Sequence, residues 1–528
     1  MRDPVSGPMS PLPRSMSDTV SQMQLEGLRK PQAGGVRSVP YHIQYTIYVV
    51  CLAVSISIWF IAIRAPLWLD ETVSIFLIKG GFAGIMSRQV WPDAPAYSCI
   101  LWLWTKMTGR GEVTLRVLSV LVMLGAVYLL YRAALELFDR DVALIAAIIF
   151  CLHPIVIFAS IDIRPYAFAV LAIITSIFVL VRLRHSKQIW LAALFGLSAA
   201  WIVYLQLLFA VILPAFAICF VAPKIDDRKT LGRQLGIALI VFAIAFLPVI
   251  PRLHYMFHTS GTHVFSAAPP LMQLVETLTS KRMAFIFIGT VVVAAAMRRL
   301  NLKSDLDGWS VLLCASLALV PALILYGISV GTSIHVFVPR YRLVAIPGIA
   351  LCWALLVSRI DSRALRLLFC IALVGATAVR YYGSPTFTHH GYSWKYALDV
   401  AEQNASGDGA PVLICSDLPE SDYMSMPVGA AVEDSGILAP LSYYKLSVPV
   451  VALPRALNGE AIRDGSRFAQ QAATGRQRFL ALGFLASYST LDWLAAYTSR
   501  SYSVRQLGVF DGVKVLEFTP RLQPVAGP

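Results

Sequence analysis

From residue 43 onward the chain alternates long apolar stretches with short polar connectors. Eleven stretches lie near 43–63, 113–131, 142–160, 165–183, 188–204, 206–222, 234–251, 284–298, 309–330, 342–358 and 364–381; all but 284–298 are about 17 to 22 residues long, enough to cross a hydrocarbon core of roughly 30 Å. The pattern predicts a polytopic α-helical membrane protein with about 11 transmembrane helices, in a range of 11–13. Residues 1–42 are rich in Ser, Pro, Gly and Arg without apolar periodicity. They lack the apolar core and cleavage site of a signal peptide and read as a disordered cytoplasmic tail.

Charge then orients the spans. The connectors holding Arg132 and Arg140, then Arg182, Arg184 and Lys187, then Lys224, Arg228, Lys229 and Arg233, then Arg298, Arg299 and Lys303, and finally Arg359, Arg363 and Arg366 alternate with charge-poor ones. The positive-inside rule places them and the N-terminus in the cytoplasm. An odd number of spans leaves everything after Tyr382 on the opposite face. The stretch Trp91 to Met107 is apolar but interrupted by Pro92, Asp93 and Pro95. Counting it as a span would invert every later connector, so it reads as an interfacial or re-entrant helix. Two extracytoplasmic loops follow, 64–112 and 252–283. The second carries Arg252, His254, Tyr255, His258 and His263 and the pair Pro269-Pro270, its histidines reading as ordinary loop residues.

Beyond Tyr382 hydropathy drops, and short apolar runs alternate with helical patterns at Trp394 to Asn404, Pro411 to Cys415, Val448 to Leu453, Gly465 to Ala473, Phe479 to Leu482 and Leu491 to Ser499. The run Val504 to Phe518, broken at Asp511-Gly512, is a hairpin signal. Residues 383–528 are therefore expected to form a small extracytoplasmic α/β domain, and residues 43–382 the transmembrane domain.

Composition agrees. Hydrophobic residues make up 57% of the 528 and charged ones only 14%, with a mean hydropathy of +0.67, which excludes a soluble globular chain. The net charge of +14 would suggest nucleic acid in a soluble protein. Here the basic residues serve topology, and the partner is the lipid bilayer. Six of the eight cysteines, Cys51, Cys151, Cys219, Cys314, Cys352 and Cys370, fall in apolar runs, Cys99 lies in the interfacial stretch, and Cys415 alone looks soluble. This is neither a disulfide framework nor a zinc spacing. No glycine-rich nucleotide loop is present, so a nucleotide cofactor is not expected.

Charged groups at a bilayer edge are costly and mark chemistry. On this topology the outer face gathers Asp70, Glu71, Asp93 and Asp162, the last followed by Arg164 in the tight turn Ser-Ile-Asp-Ile-Arg-Pro-Tyr. Plainer roles exist for each. Asp70 and Glu71 could cap a helix over Thr72 to Lys79, Asp93 could cap the interfacial helix, and Asp162 with Arg164 could tighten a turn. His389 and His390, after the last span, carry little signal. A partly desolvated carboxylate can also take a proton from a hydroxyl nucleophile, while an arginine binds a phosphate oxygen. With no nucleotide motif and an outward site, that combination suggests group transfer from a lipid phosphate.

The series Arg-Ala-Pro-Leu-Trp-Leu-Asp-Glu after the first span, Asp-Ala-Pro-Ala-Tyr opening an apolar helix, Glu112 to Arg116 before a span and Asp-Ile-Arg-Pro-Tyr after the next resembles the GT-C membrane glycosyltransferases of family 39 type. These include the protein O-mannosyltransferases and the bacterial enzymes that add aminoarabinose or galacturonic acid to lipid A or its core. Pro-Arg-Tyr at Pro339 to Tyr341 resembles a late element of bacterial members. The resemblance implies that Asp70 is the catalytic base, that Glu71 and Asp162 belong to the catalytic set, and that Asp93 and Tyr97 lie in the active site. It allows a divalent cation at Asp93 and Asp162. Where bacterial members read His-Pro-Pro-Leu-Tyr this chain reads Asp-Ala-Pro-Ala-Tyr, and no lysine follows Asp93; donor phosphate binding would then fall to Arg164, Arg340 or Arg342.

The function implied is an inverting glycosyltransferase that moves a sugar from a polyprenyl-phosphate donor to a hydroxyl of a lipid, glycan or protein acceptor at the outer face of a bacterial inner membrane. The C-terminal domain would be periplasmic or extracellular, covering the site or helping to choose the acceptor. The alternative class is a transporter or flippase, which would favour internal repeats and ionisable groups at the bilayer midplane.

Overall fold

The computed structural model describes residues 40–87, 95–186, 188–221, 228–250, 267–300, 307–383, 393–415, 436–453 and 477–521, with short pieces between 462 and 475. Asp93, His254, His258, His263, His389 and His390 lie outside the described residues, as do nearly all of the expected cytoplasmic tail and half of the loop 252–283.

Among the described residues seven helices are long and apolar enough to cross a membrane, and the number rises to nine if each of two bent pairs is one span. The seven run Tyr41–Ala62, Glu112–Leu137, Tyr166–His185, Thr230–Val249, Gly308–Gly331, Pro339–Ser358 and Arg363–Tyr382. The bent pairs are Arg140–Leu152 with Pro154–Ser160, at 72°, and Leu271–Leu278 with Lys281–Ala296, at 57°. The expected stretches 188–204 and 206–222 are the shorter apolar helices Ile189–Leu205 and Leu207–Val221. The interfacial segment forms the 14-residue helix Pro95–Thr108, too short to cross.

Two close approaches set the frame. At Gly348 a Cβ would stand 2.4 Å from the backbone of Leu317 and Ala318, and at Gly196 one would stand 2.2 Å from the Ala238 carbonyl oxygen. Only glycine lets these helix backbones touch, the usual device for packing helices in lipid. The first crossing anchors the helix that begins with Pro339–Arg342. The basic connectors collect at one end of the bundle: Arg366 pairs with Asp141 at 2.9 Å, Arg182 with Glu136 at 2.8 Å and Arg184 with Asp307 at 2.7 Å.

Past the last span lies a five-stranded mixed sheet in the order β2-β1-β3-β5-β4. It comprises β1 Val412–Cys415, β2 Val450–Leu453, β3 Phe479–Phe484, β4 Tyr502–Phe510 and β5 Val513–Pro520. β1 runs parallel to β2 and β3, and β5 antiparallel to β3 and β4. The helix Lys395–Ala405 covers one face through Ala397, Leu398 and Ala401, and Tyr488–Thr498 covers the other through Leu491 and Leu494. Both faces of β3 are thus buried, which is why it reads as a continuous apolar run. The β4–β5 turn has Asp511 at φ 46° and Gly512 at φ 84°, the left-handed pair that a two-residue hairpin requires.

Candidate active site

The loop leaving the first span enters the helix Leu69–Leu77 through Trp68. Successive helical residues point about 100° apart, so the adjacent carboxylates Asp70 and Glu71 face different surroundings. Glu71 turns inward and has no exposure. Its Oε1 accepts from Arg116 Nε at 3.1 Å and from the Ile163 amide at 3.2 Å; its Oε2 accepts from Arg116 Nη2 at 2.6 Å and from the Trp68 amide at 3.2 Å. Arg116, equally buried, also donates to the carbonyls of Ile63 at 3.0 Å, Pro66 at 3.1 Å and Ala65. One buried ion pair therefore ties together the loop, the span Glu112–Leu137 and the turn at Ile163. Such a pair offsets its desolvation cost only when its remaining hydrogen-bonding capacity is met, as it is here.

Asp70 turns outward. Its side chain is 20% exposed and its Oδ2 accepts from Arg340 Nη1 at 2.9 Å. Its backbone carbonyl lies 3.5 Å from Arg164 Nη1. Asp162 is fully buried; Oδ1 accepts from the Trp68 indole nitrogen at 3.1 Å and its carbonyl accepts from Ser119 Oγ at 2.6 Å. It holds the indole that precedes Asp70.

Beside this pair opens a cavity of about 700 Å³, within the range of sites for small organic ligands. Trp68, Phe158, Tyr166, Val338 and Pro339 form apolar walls, and His153, Glu276, Arg340, Arg342 and Arg380 bring polar groups. Arg342 is aimed by Thr277 Oγ1 at 2.8 Å and the Gln273 carbonyl at 3.4 Å, and lies over the Phe337 ring. Three guanidinium groups against one carboxylate favour an anionic ligand.

The sheet domain reaches the same loop. Tyr444 donates its hydroxyl to Glu112 Oε1 at 2.8 Å and accepts from the Leu67 amide at 2.7 Å, while Ser393 bridges to Trp68. Ala439 packs on Val73, Phe76 and Leu77 of the helix that carries Asp70. Burial, then the Glu112 carboxylate, push the Tyr444 phenol far above its ordinary range, so it stays protonated and able to donate.

Of the residues expected at the site, Asp70, Asp162, Arg164 and Arg340 come together and Arg342 faces the same cavity. Glu71 is fully buried, pairing with Arg116 and accepting from two backbone amides, one of them that of Trp68 at the helix entry. Tyr97 is 1% exposed and packs edge-on against Phe168, a core contact. Among the described residues no group of three or more His, Cys, Asp or Glu is placed to hold a metal, and Asp162 is engaged by an indole N–H. Sequence reasoning passed over Arg116 and His153 as site residues, although an ionisable residue inside an apolar stretch is itself a signal. Glu276, Arg380 and Tyr444 carried none.

Residues 92–255 match the family described as dolichyl-phosphate-mannose-protein mannosyltransferase. Among solved structures, the chain is similar to ArnT from Cupriavidus metallidurans in the apo state, with a TM-score of 0.54 and 11% identity over 90% of this chain and 98% of that one. The same enzyme bound to undecaprenyl phosphate gives a TM-score of 0.53 and 12% identity over 91% and 99%. No curated protein matches by sequence. The chain thus has the multi-pass membrane fold of ArnT, and its stretch 92–255 is similar to the mannosyltransferase family.

Proposed function

We propose that the chain transfers a sugar from a polyprenyl-phosphate donor to a hydroxyl group of an envelope acceptor at the outer face of a bacterial inner membrane, inverting the anomeric centre. The observation that carries this is the Asp70–Arg340 pair, 2.9 Å apart, beside a cavity walled by Arg340, Arg342 and Arg380. Base and phosphate binder are thereby neighbours. The similar ArnT structure bound to undecaprenyl phosphate supports a lipid phosphate as the ligand.

In this scheme Asp70 accepts the proton of the acceptor hydroxyl as that oxygen attacks the anomeric carbon, and the bond from that carbon to the phosphate oxygen breaks on the opposite side. The donor phosphodiester carries one negative charge and the departing polyprenyl phosphate gains a second. Arg342 and Arg340 stabilise it, with Arg164 behind Asp70. Charge that develops only as the bond breaks is what preorganised donors stabilise best. Asp162 positions Trp68, and Glu71 with Arg116 holds the loop. Residues 43–382 form the catalytic body, and 383–528 close over it.

The test is Asp70→Asn. The neutral amide keeps the shape but cannot take the proton, so transfer should fall by about 10²–10⁴-fold while membrane insertion is retained. Normal turnover by this variant would sink the assignment. Mass spectrometry of lipids and envelope glycans from a deletion strain would name the sugar and the acceptor.

A further inference from the structure

His153 stands at the 72° break between Arg140–Leu152 and Pro154–Ser160 and forms part of the cavity wall with Arg340 and Arg342. Its Nδ1 lies 3.3 Å from the Ile155 backbone nitrogen. That nitrogen can only donate, so Nδ1 must present a lone pair. In the neutral ring the proton then sits on Nε2, the nitrogen on the far side of the imidazole from its own backbone. The ring cannot turn without giving up this bond, and the carbonyl of His153 is held as well, by the amides of Val156 and Ile157 at 2.9 and 3.0 Å. The break in the span thus presents a fixed, uncharged N–H donor on the wall of an arginine-lined cavity.

We propose that His153 binds the donor phosphate, giving its Nε2–H to a phosphate oxygen beside Arg342. The inference rests on the lipid-phosphate reading above and adds a third donor of a different kind. A phosphate oxygen only accepts, so it matches a donor-only N–H better than a sugar hydroxyl, which both donates and accepts. Being uncharged, the imidazole adds a hydrogen bond without adding repulsion among the guanidinium groups. The bond strengthens as charge builds on the leaving phosphate.

The two nitrogens can be separated by substitution. In His153→Asn the amide oxygen takes the place of Nδ1 and keeps the bond from Ile155, but nothing reaches as far as Nε2; in His153→Gln the amide nitrogen comes near the Nε2 position. Binding of undecaprenyl phosphate to the purified full chain, followed by titration calorimetry, should be about tenfold or more weaker for His153→Asn, as for a lost hydrogen bond to a charged group. The melting temperature without ligand should stay that of the parent, and His153→Gln should recover most of the affinity. Parent-like affinity of His153→Asn, or equal losses in both variants accompanied by lower melting temperatures, would overturn the proposal. If the parent protein does not bind undecaprenyl phosphate, the donor reading fails and this inference fails with it. If Arg342→Gln weakens binding and His153→Asn does not, only the role of His153 falls.

Discussion

Replacing Glu71 by glutamine removes one charge from the buried hub and changes almost no volume. Arg116 is then left fully buried, with three backbone carbonyls and a neutral amide as its only acceptors near the loop. Neither partner has any exposure, so water screens nothing, and breaking a buried pair from one side costs about 3–5 kcal/mol. The amide can still accept, but its nitrogen now faces one of the donors that the carboxylate had satisfied. Because the pair ties the loop to two spans, the cost falls on local opening of residues 63–71. An opening equilibrium shifted by that energy changes about 10²–10⁴-fold, which is large enough to read by hydrogen exchange. Peptides covering residues 63–77 should lose protection by that factor in Glu71→Gln, while peptides from the β-sheet keep theirs. Arg116→Lys should act in the same direction, because a point charge cannot span the carboxylate and three carbonyls at once. Transfer should fall as well, since Asp70 is the next residue. Unchanged exchange in Glu71→Gln would refute the hub, and unchanged exchange together with lost transfer would return Glu71 to the list of candidate bases.

Tyr444→Phe deletes the hydroxyl that joins the sheet domain to Leu67 and Glu112; with the buried Leu67 amide left unmet the cost is about 1–3 kcal/mol, and turnover should drop with faster exchange at Leu67, whereas a parent-like rate would show that the domain contact does not position the loop. Gly348→Ala places a methyl group against backbone atoms that no side-chain rotation can clear, so thermal stability in detergent should fall by an amount matching about 1–3 kcal/mol, with donor affinity falling too because Arg340 and Arg342 ride on the same helix; an unshifted melting curve would contradict the close crossing. Arg340→Gln should weaken lipid-phosphate binding and leave Asp70 without its cation, so both affinity and turnover should decline; a variant with full affinity would remove Arg340 from the phosphate site.

Much of the fold follows from hydropathy alone, because a backbone in hydrocarbon must satisfy its own hydrogen bonds and so declares itself as long apolar runs. The connectors predicted to share one face do meet: Arg366 reaches Asp141, and Arg184 reaches Asp307. Asp511-Gly512 likewise announced its hairpin through a local requirement for positive φ. Hydropathy registers apolar length without recording a 57° or 72° break, so the two bent pairs came only from the structure.

The site divides in the same way. That Asp70, Asp162, Arg164 and Arg340 belong at one membrane face was legible in their order and in the charge of the connectors, because topology is a one-dimensional property. Which of two adjacent carboxylates pairs with a cavity-lining arginine was not. That depends on where the helix begins and on what lies across it: Arg116 from one span and the Ile163 amide from a turn claim Glu71, and Arg340, 270 residues away along the chain, meets Asp70. Tyr444 joined the site for the same reason, since packing brought it there and no local pattern could, whereas His153 stood out as an ionisable residue within an apolar stretch. The sequence by itself determined a membrane-embedded helical body and the acidic and basic residues available to the site; the tertiary structure alone decided which of them pair off in the interior and which meet at the cavity, because those pairings join residues that only packing brings together.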